Sequence, residues 1–175
     1  FASFLVSAGL AIYFWPSWWT LPFFIVYGVL YGSSTDSRWH ECGHGTAFKT
    51  RWMNDAVYHV ACFMIMREPT VWRWSHTRHH TDTIIVGRDP EIAVPRPPDV
   101  TGILLAFFSL RSAPKEFARM VRHCFLNRLD PGEATYIPEE ERPKVYRNAR
   151  IYLLIYAAVI TWAICLRSFL PLMYI

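Results

Sequence analysis

The residues best suited to chemistry are histidines, and they are unevenly spaced. Of seven in the chain, five fall into two short patterns: His40 and His44, then His76, His79 and His80. Residues four apart on a helix lie one turn apart on one face, and the i, i+3, i+4 spacing of the second set does the same. Neutral imidazole is a good ligand for iron, copper, nickel and zinc. Two such faces, on helices packed side by side, would converge five imidazoles on a metal site. His59 and His123 stand outside both patterns and read as solvent-exposed or hydrogen-bonded side chains.

The first pattern has a second meaning. His40-Glu41-Cys42-Gly43-His44 matches H-E-x-x-H, which on a helix binds zinc with the glutamate as general base of a metalloprotease. A hydrolytic zinc site needs three protein ligands and a water. That leaves most of His76, His79 and His80 without a task, so five or more ligands suit a binuclear centre better. A histidine-rich metal transporter is a third class, but here the ionisable residues lie outside the apolar runs rather than within them.

These clusters need elements to carry them, and the charge distribution outlines those elements. Hydrophobic residues make up 53% and aromatic residues 17% of the chain, above the usual ~45–50% apolar usage of soluble domains. No charged residue precedes Asp36, and after Arg150 only Arg167 is charged. Apolar flanks around a polar, basic middle predict a polytopic, all-α membrane bundle, with a cytoplasmic helical cap and interfacial amphipathic helices. Residues 1–14 read as the end of a first span and 21–35 as a second. Between them, Trp15-Pro16-Ser17-Trp18-Trp19-Thr20 forms a turn, since Pro breaks helices and Trp favours the membrane interface. The second helix is expected to continue through Arg38 into the first histidine pattern. Residues 151–166 are sixteen uncharged residues in a row, all apolar but Thr161, roughly 24 Å of helix, and read as a third span. Residues 168–175 begin a fourth. The whole is expected to be one incomplete domain, a fragment of a longer protein, with no secretory leader at its start.

Lys and Arg concentrate in the middle segment, 36–150, which places it on the cytoplasmic side. Within it, residues 52–66 read as a helix closed at Arg67-Glu68-Pro69, with Thr70 as a cap for the helix that carries the second cluster. Gly87-Arg88-Asp89-Pro90 and Pro95-Arg96-Pro97-Pro98 impose turns and extended chain. After Pro114, Phe117, Met120, Val121, Cys124 and Phe125 recur at helical spacing. That helix either lies in the membrane interface or faces the core of the cytoplasmic part. The four cysteines form no CxxC pair, and Cys42 inside the first cluster suits a reducing compartment.

H-x-x-x-H at the end of an apolar helix, followed by Trp72-Arg73 and then His76, His79 and His80, resembles the first two histidine boxes of the membrane fatty-acid desaturase superfamily. The stretch from Arg67-Glu68-Pro69-Thr70 to Gly87-Arg88-Asp89-Pro90-Glu91-Ile92 resembles a bacterial branch of these enzymes. The resemblance implies an integral protein of the bacterial cytoplasmic membrane, with its boxes facing the cytoplasm. It implies two non-haem irons that activate O2 and remove hydrogen from an acyl chain of a lipid, with desaturation, hydroxylation and ketolation sharing the ligand set. His40, His44, His76, His79 and His80 become the expected iron ligands. The third box of the family, HxxHH, is not in this sequence and is expected beyond it.

Glu41, Asp82 and Asp89 are candidates to accept the second ring N–H of a ligating histidine; as an alternative, all three are ordinary solvated acids or turn residues. Trp72 and Trp74 are candidates to line an acyl tunnel, with interfacial packing as the alternative. The resemblance also implies an electron donor such as a ferredoxin, rubredoxin or cytochrome b5-like protein. The basic middle segment could steer an acidic donor or bind anionic membrane lipids; no nucleic-acid partner is expected.

Overall fold

The computed structural model describes residues 2–91, 97–107 and 112–174, without the side chains of 33–39, 103, 104, 106 and 107. The secondary structure is all helical among the described residues. The chain divides into two units, 1–65 with 159–175, and 66–158.

In the first unit, α1 (Ala2–Tyr13) and α3 (Arg51–Met64) pack against α2 (Thr20–His44). The Trp- and Pro-bearing turn lies where the sequence puts it, and Thr20 Oγ1 closes it by donating to the Ala11 carbonyl at 3.1 Å. Aromatic rings fill the α1–α2 contact: Phe14 stacks on Phe23 at 5.3 Å and Phe4 on Tyr27 at 4.9 Å. A short 3-10 turn, Leu170–Tyr174, is tied in by the Tyr174 hydroxyl, which donates to the Ala8 carbonyl at 3.0 Å.

α2 is unbroken from its apolar start to His44, as its sequence predicts. It stops because Gly45 adopts φ +73°, a conformation that costs glycine little. The amides of Gly45 and Thr46 then take up the carbonyls of Cys42 and Glu41. Gly43 has a separate role. A Cβ there would lie 3.1 Å from the ring of the buried Tyr58, so a bare Cα lets α3 approach the histidine-bearing end of α2 closely.

The second unit holds α4 (Pro69–Asp82), α5 (Val100–Phe107), α6 (Ser112–Leu126) and the beginning of α7 (Arg142–Leu166). Its core is Val71 of α4, Ile137 and Val145, with Trp74, Leu129, Tyr136 and Tyr146 packed around them. The cap of α4 is Glu68 rather than the expected Thr70: Glu68 Oε2 accepts the Val71 amide at 2.6 Å. Pro69 occupies the first helical position and needs no acceptor. Thr70 falls inside the first turn, where its hydroxyl meets Asn148 Nδ2 at 3.2 Å. The same Asn148 donates to Glu68 Oε1 at 2.7 Å, so one buried carboxylate joins α4 to α7.

α6 has a side turned to the core and an exposed apolar side. Met120 and His123 are buried, while Phe117, Phe125 and Leu126 are exposed. His123 is a hydrogen-bonded core histidine: its Nε2 lies 2.9 Å from Glu133 Oε2. Arg119 and Arg122 hold Asp130, fixing the following loop.

One helical stretch among the described residues, Glu139–Leu166, is long and apolar enough to cross a membrane. The run 151–166 forms the C-terminal part of that stretch, so the helix is longer than the sequence suggested. Ala2–Tyr13 and Thr20–Gly32 are shorter apolar helices. Of the expected chain of spans, one therefore meets the length criterion. The expected extended segment at 95–96 lies outside the described residues.

Candidate metal centre

His40 and His44 occupy the last turn of α2, on one face, with ring centroids 4.8 Å apart. Glu41, between them, is exposed and bonded to the Thr46 hydroxyl through Oε2 at 2.8 Å. That contact tidies the helix end.

The second cluster is more elaborate. His76, His79 and His80 lie in the last two turns of α4, with ring centroids 4.6 to 5.8 Å apart. His76 Nε2 and His80 Nε2 are 3.1 Å apart. Two nitrogens each about 2.1 Å from one cation, at an angle near 95°, would lie about 3.1 Å apart. Two further ring nitrogens meet carboxylates. His79 Nδ1 lies 3.0 Å from both oxygens of Asp89, and His76 Nδ1 lies 3.0 Å from Glu91 Oε2. A carboxylate accepting at Nδ1 fixes the Nδ1–H tautomer and leaves Nε2 with the lone pair that a metal needs. The His76–His80 contact is a hydrogen bond when His80 Nε2 carries its proton, and a pair of lone pairs suited to a cation when it does not. Three clustered imidazoles, two of them held with Nε2 unprotonated, form a donor set that fits a metal, and histidines suit iron.

The loop after α4 delivers these acids by folding back. Thr83 Oγ1 donates to the His79 carbonyl, and the amides of Arg88 and Asp89 turn onto the Ile85 carbonyl, both at 3.0 Å. Asp82, the other acid expected to back a histidine, is instead paired with Arg78 and, at 3.1 Å, with Arg88. Its position one turn beyond Arg78 puts it within reach of that guanidinium. The two tryptophans pack tightly: the Arg67 guanidinium lies 3.3 Å from the Trp72 ring centroid, and Trp74 lies against the Val71 core. Glu91 was not among the sequence candidates. It stands fifteen residues from His76, and only the turn through Gly87 and Pro90 brings it back; no helical spacing signals that contact.

A family model described as fatty acid desaturase matches residues 16–175. The chain belongs to the fatty acid desaturase family. Similar proteins include a Delta(12)-acyl-lipid-desaturase of Punica granatum, 34% identical over 83 residues, 47% of this chain and 20% of that one. An endoplasmic reticulum omega-6 fatty acid desaturase of Glycine max gives the same figures. A bifunctional fatty acid conjugase/Delta(12)-oleate desaturase of Punica granatum is 32% identical over 108 residues, 60% of this chain and 25% of that one. The chain thus aligns with a fifth to a quarter of these relatives' lengths. No solved structure matches it.

Proposed function

We propose that the protein is an O2-dependent acyl-lipid desaturase with a histidine-ligated di-iron centre, working in lipid metabolism. The observation that carries this reading is the triad His76, His79 and His80, two of whose rings are backed by buried or half-buried carboxylates at Nδ1. His40, His44, His76, His79 and His80 serve as ligands, joined by histidines of a third box outside this sequence. Iron held there supplies the O2 activation that an unactivated C–H bond requires. The chain's part is to hold the imidazoles in one tautomer and to shield the site from water. The relatives' names, which specify Delta(12) and omega-6 fatty acid desaturation, support an acyl substrate.

The protein is read as a polytopic membrane bundle with its boxes on the cytoplasmic side. The stretch Glu139–Leu166 and the exposed Trp18 and Trp19 support membrane insertion. An electron donor of ferredoxin, rubredoxin or cytochrome b5-like type completes the reaction. A membrane hydroxylase or ketolase is the nearest second reading, because the same ligands serve it.

The full-length protein, purified in detergent, is expected to hold about two irons per chain in a histidine-rich site. Cells expressing it are expected to gain double bonds in their acyl lipids. New hydroxyl groups without double bonds would move the assignment to hydroxylation. One zinc per chain, with activity surviving His79→Ala, would favour the metalloprotease reading of the first box.

A further inference from the structure

We infer that the loop 83–91 is a carboxylate clamp in which Asp89 and Glu91 are positioning residues for the metal, and that Asp89 couples this task to a strained turn. This rests on the metal-ligand reading above and deepens it, because it assigns the aim of the second box to a segment outside any histidine pattern.

Asp89 is buried and uses both oxygens twice. Oδ2 accepts the Ile84 amide at 2.9 Å and faces His79 Nδ1 at 3.0 Å. Oδ1 accepts the Glu91 amide at 2.9 Å and faces the same His79 nitrogen at 3.0 Å. Through the second of these bonds Asp89 also orients the residue that backs His76. Glu91 in turn shares its carboxylate: Oε1 accepts from the Ser75 hydroxyl at 3.1 Å, and Oε2 faces His76 Nδ1 at 3.0 Å.

Ile84 adopts φ +66°. A β-branched residue in the left-handed region is strained, and such strain persists only where the surroundings over-determine it. Here the Asp89 bond to the Ile84 amide is the restraint, and Asp82 on Arg88 fixes the other limb of the turn. The loop's geometry and the tautomer of His79 are consequently set by the same carboxylate, which also orients Glu91 behind His76. Removing the negative charge behind an imidazole makes it a poorer electron donor to a bound cation, and more so towards the more highly charged oxidation state.

The test uses the full-length protein reconstituted with iron. Asp89→Asn and Glu91→Gln keep the shape of the side chain and remove its charge. Each is expected to weaken iron binding by roughly 10–100-fold, the usual cost of an outer-shell partner, and to lower the ratio of ferric to ferrous affinity. Alanine at either position is expected to weaken it further, with the amide variants giving partial rescue. A purely structural role would lower thermal stability without moving the ferric-to-ferrous ratio, and that result overturns the proposal. Should Asp89→Asn fail to fold, Glu91→Gln carries the same measurement, since Glu91 does not hold the Ile84 turn. Wild-type iron affinity in the Gln variant overturns the clamp alone if His76→Ala still loses iron. If His76→Ala also keeps its iron, the metal-ligand reading fails with it.

Discussion

Alanine at His76 in the full-length protein is expected to take acyl-lipid product to background and to release iron from the site. The effect should exceed the roughly 10–100-fold that losing an outer-shell partner costs, because a coordinating atom itself is removed. His76 is the histidine with the most at stake in the second cluster. It is buried, its Nδ1 is backed by Glu91, and its Nε2 lies against that of His80. Removing the ring therefore leaves a carboxylate facing a cavity and one nitrogen of His80 with its neighbour gone. His59→Ala provides the control, since His59 is exposed and lies outside both patterns. Product formation and metal content measured together decide the matter. A His76→Ala protein that retains both would remove this residue from the ligand set.

The second large effect concerns stability. Glu68 is buried at the head of α4, accepting the Val71 amide through one oxygen and the Asn148 side chain through the other. Glu68→Ala leaves both donors without their acceptor and is expected to cost on the order of 2–3 kcal/mol. Burial also pushes the carboxyl above its ordinary value of 4.5, against the lowering influence of the hydrogen bonds from Val71, Asn148 and Thr70. The sign of the pH dependence follows. The folded protein binds this proton more tightly than the unfolded chain does. Glu68 therefore contributes stability that is full below about pH 4.5 and declines as the pH rises through the higher folded value. Glu68→Gln removes that titration while keeping an acceptor for Val71. Thermal unfolding of the two proteins across pH should show the wild type losing stability relative to the Gln variant as the pH rises. Parallel curves would contradict a raised folded-state value.

Much of the helical framework was legible from residue types. The absence of charge before Asp36 and the i, i+4 pair His40 and His44 suffice to expect one helix running into the first box, and α2 does so. What was not legible depends on the chain returning upon itself. Thr70 has the right chemistry for a cap, but Pro69 at the first helical position moves the capping role two residues earlier, to Glu68. Asp82 sits closer in sequence to the second box than Asp89 does, yet Arg78 and Arg88 claim it. Glu91 gave no signal, because its meeting with His76 is made by turn geometry and not by periodicity. Local rules thus reached the faces that bear the histidines; the groups behind those rings needed the loop's path.

The continuity of α2 has a consequence for how such a chain can change. A helix is a screw of fixed pitch, so one residue inserted between Gly32 and His40 turns everything beyond it by about 100° and advances it by about 1.5 Å. Both imidazoles would swing away from their aim together, however conservative the inserted residue. The apolar segment can therefore lengthen or shorten without disturbing that aim only in near-whole turns, about seven residues for two of them. The length of the apolar segment and the bearing of the helix's terminal histidines are in that sense one quantised variable.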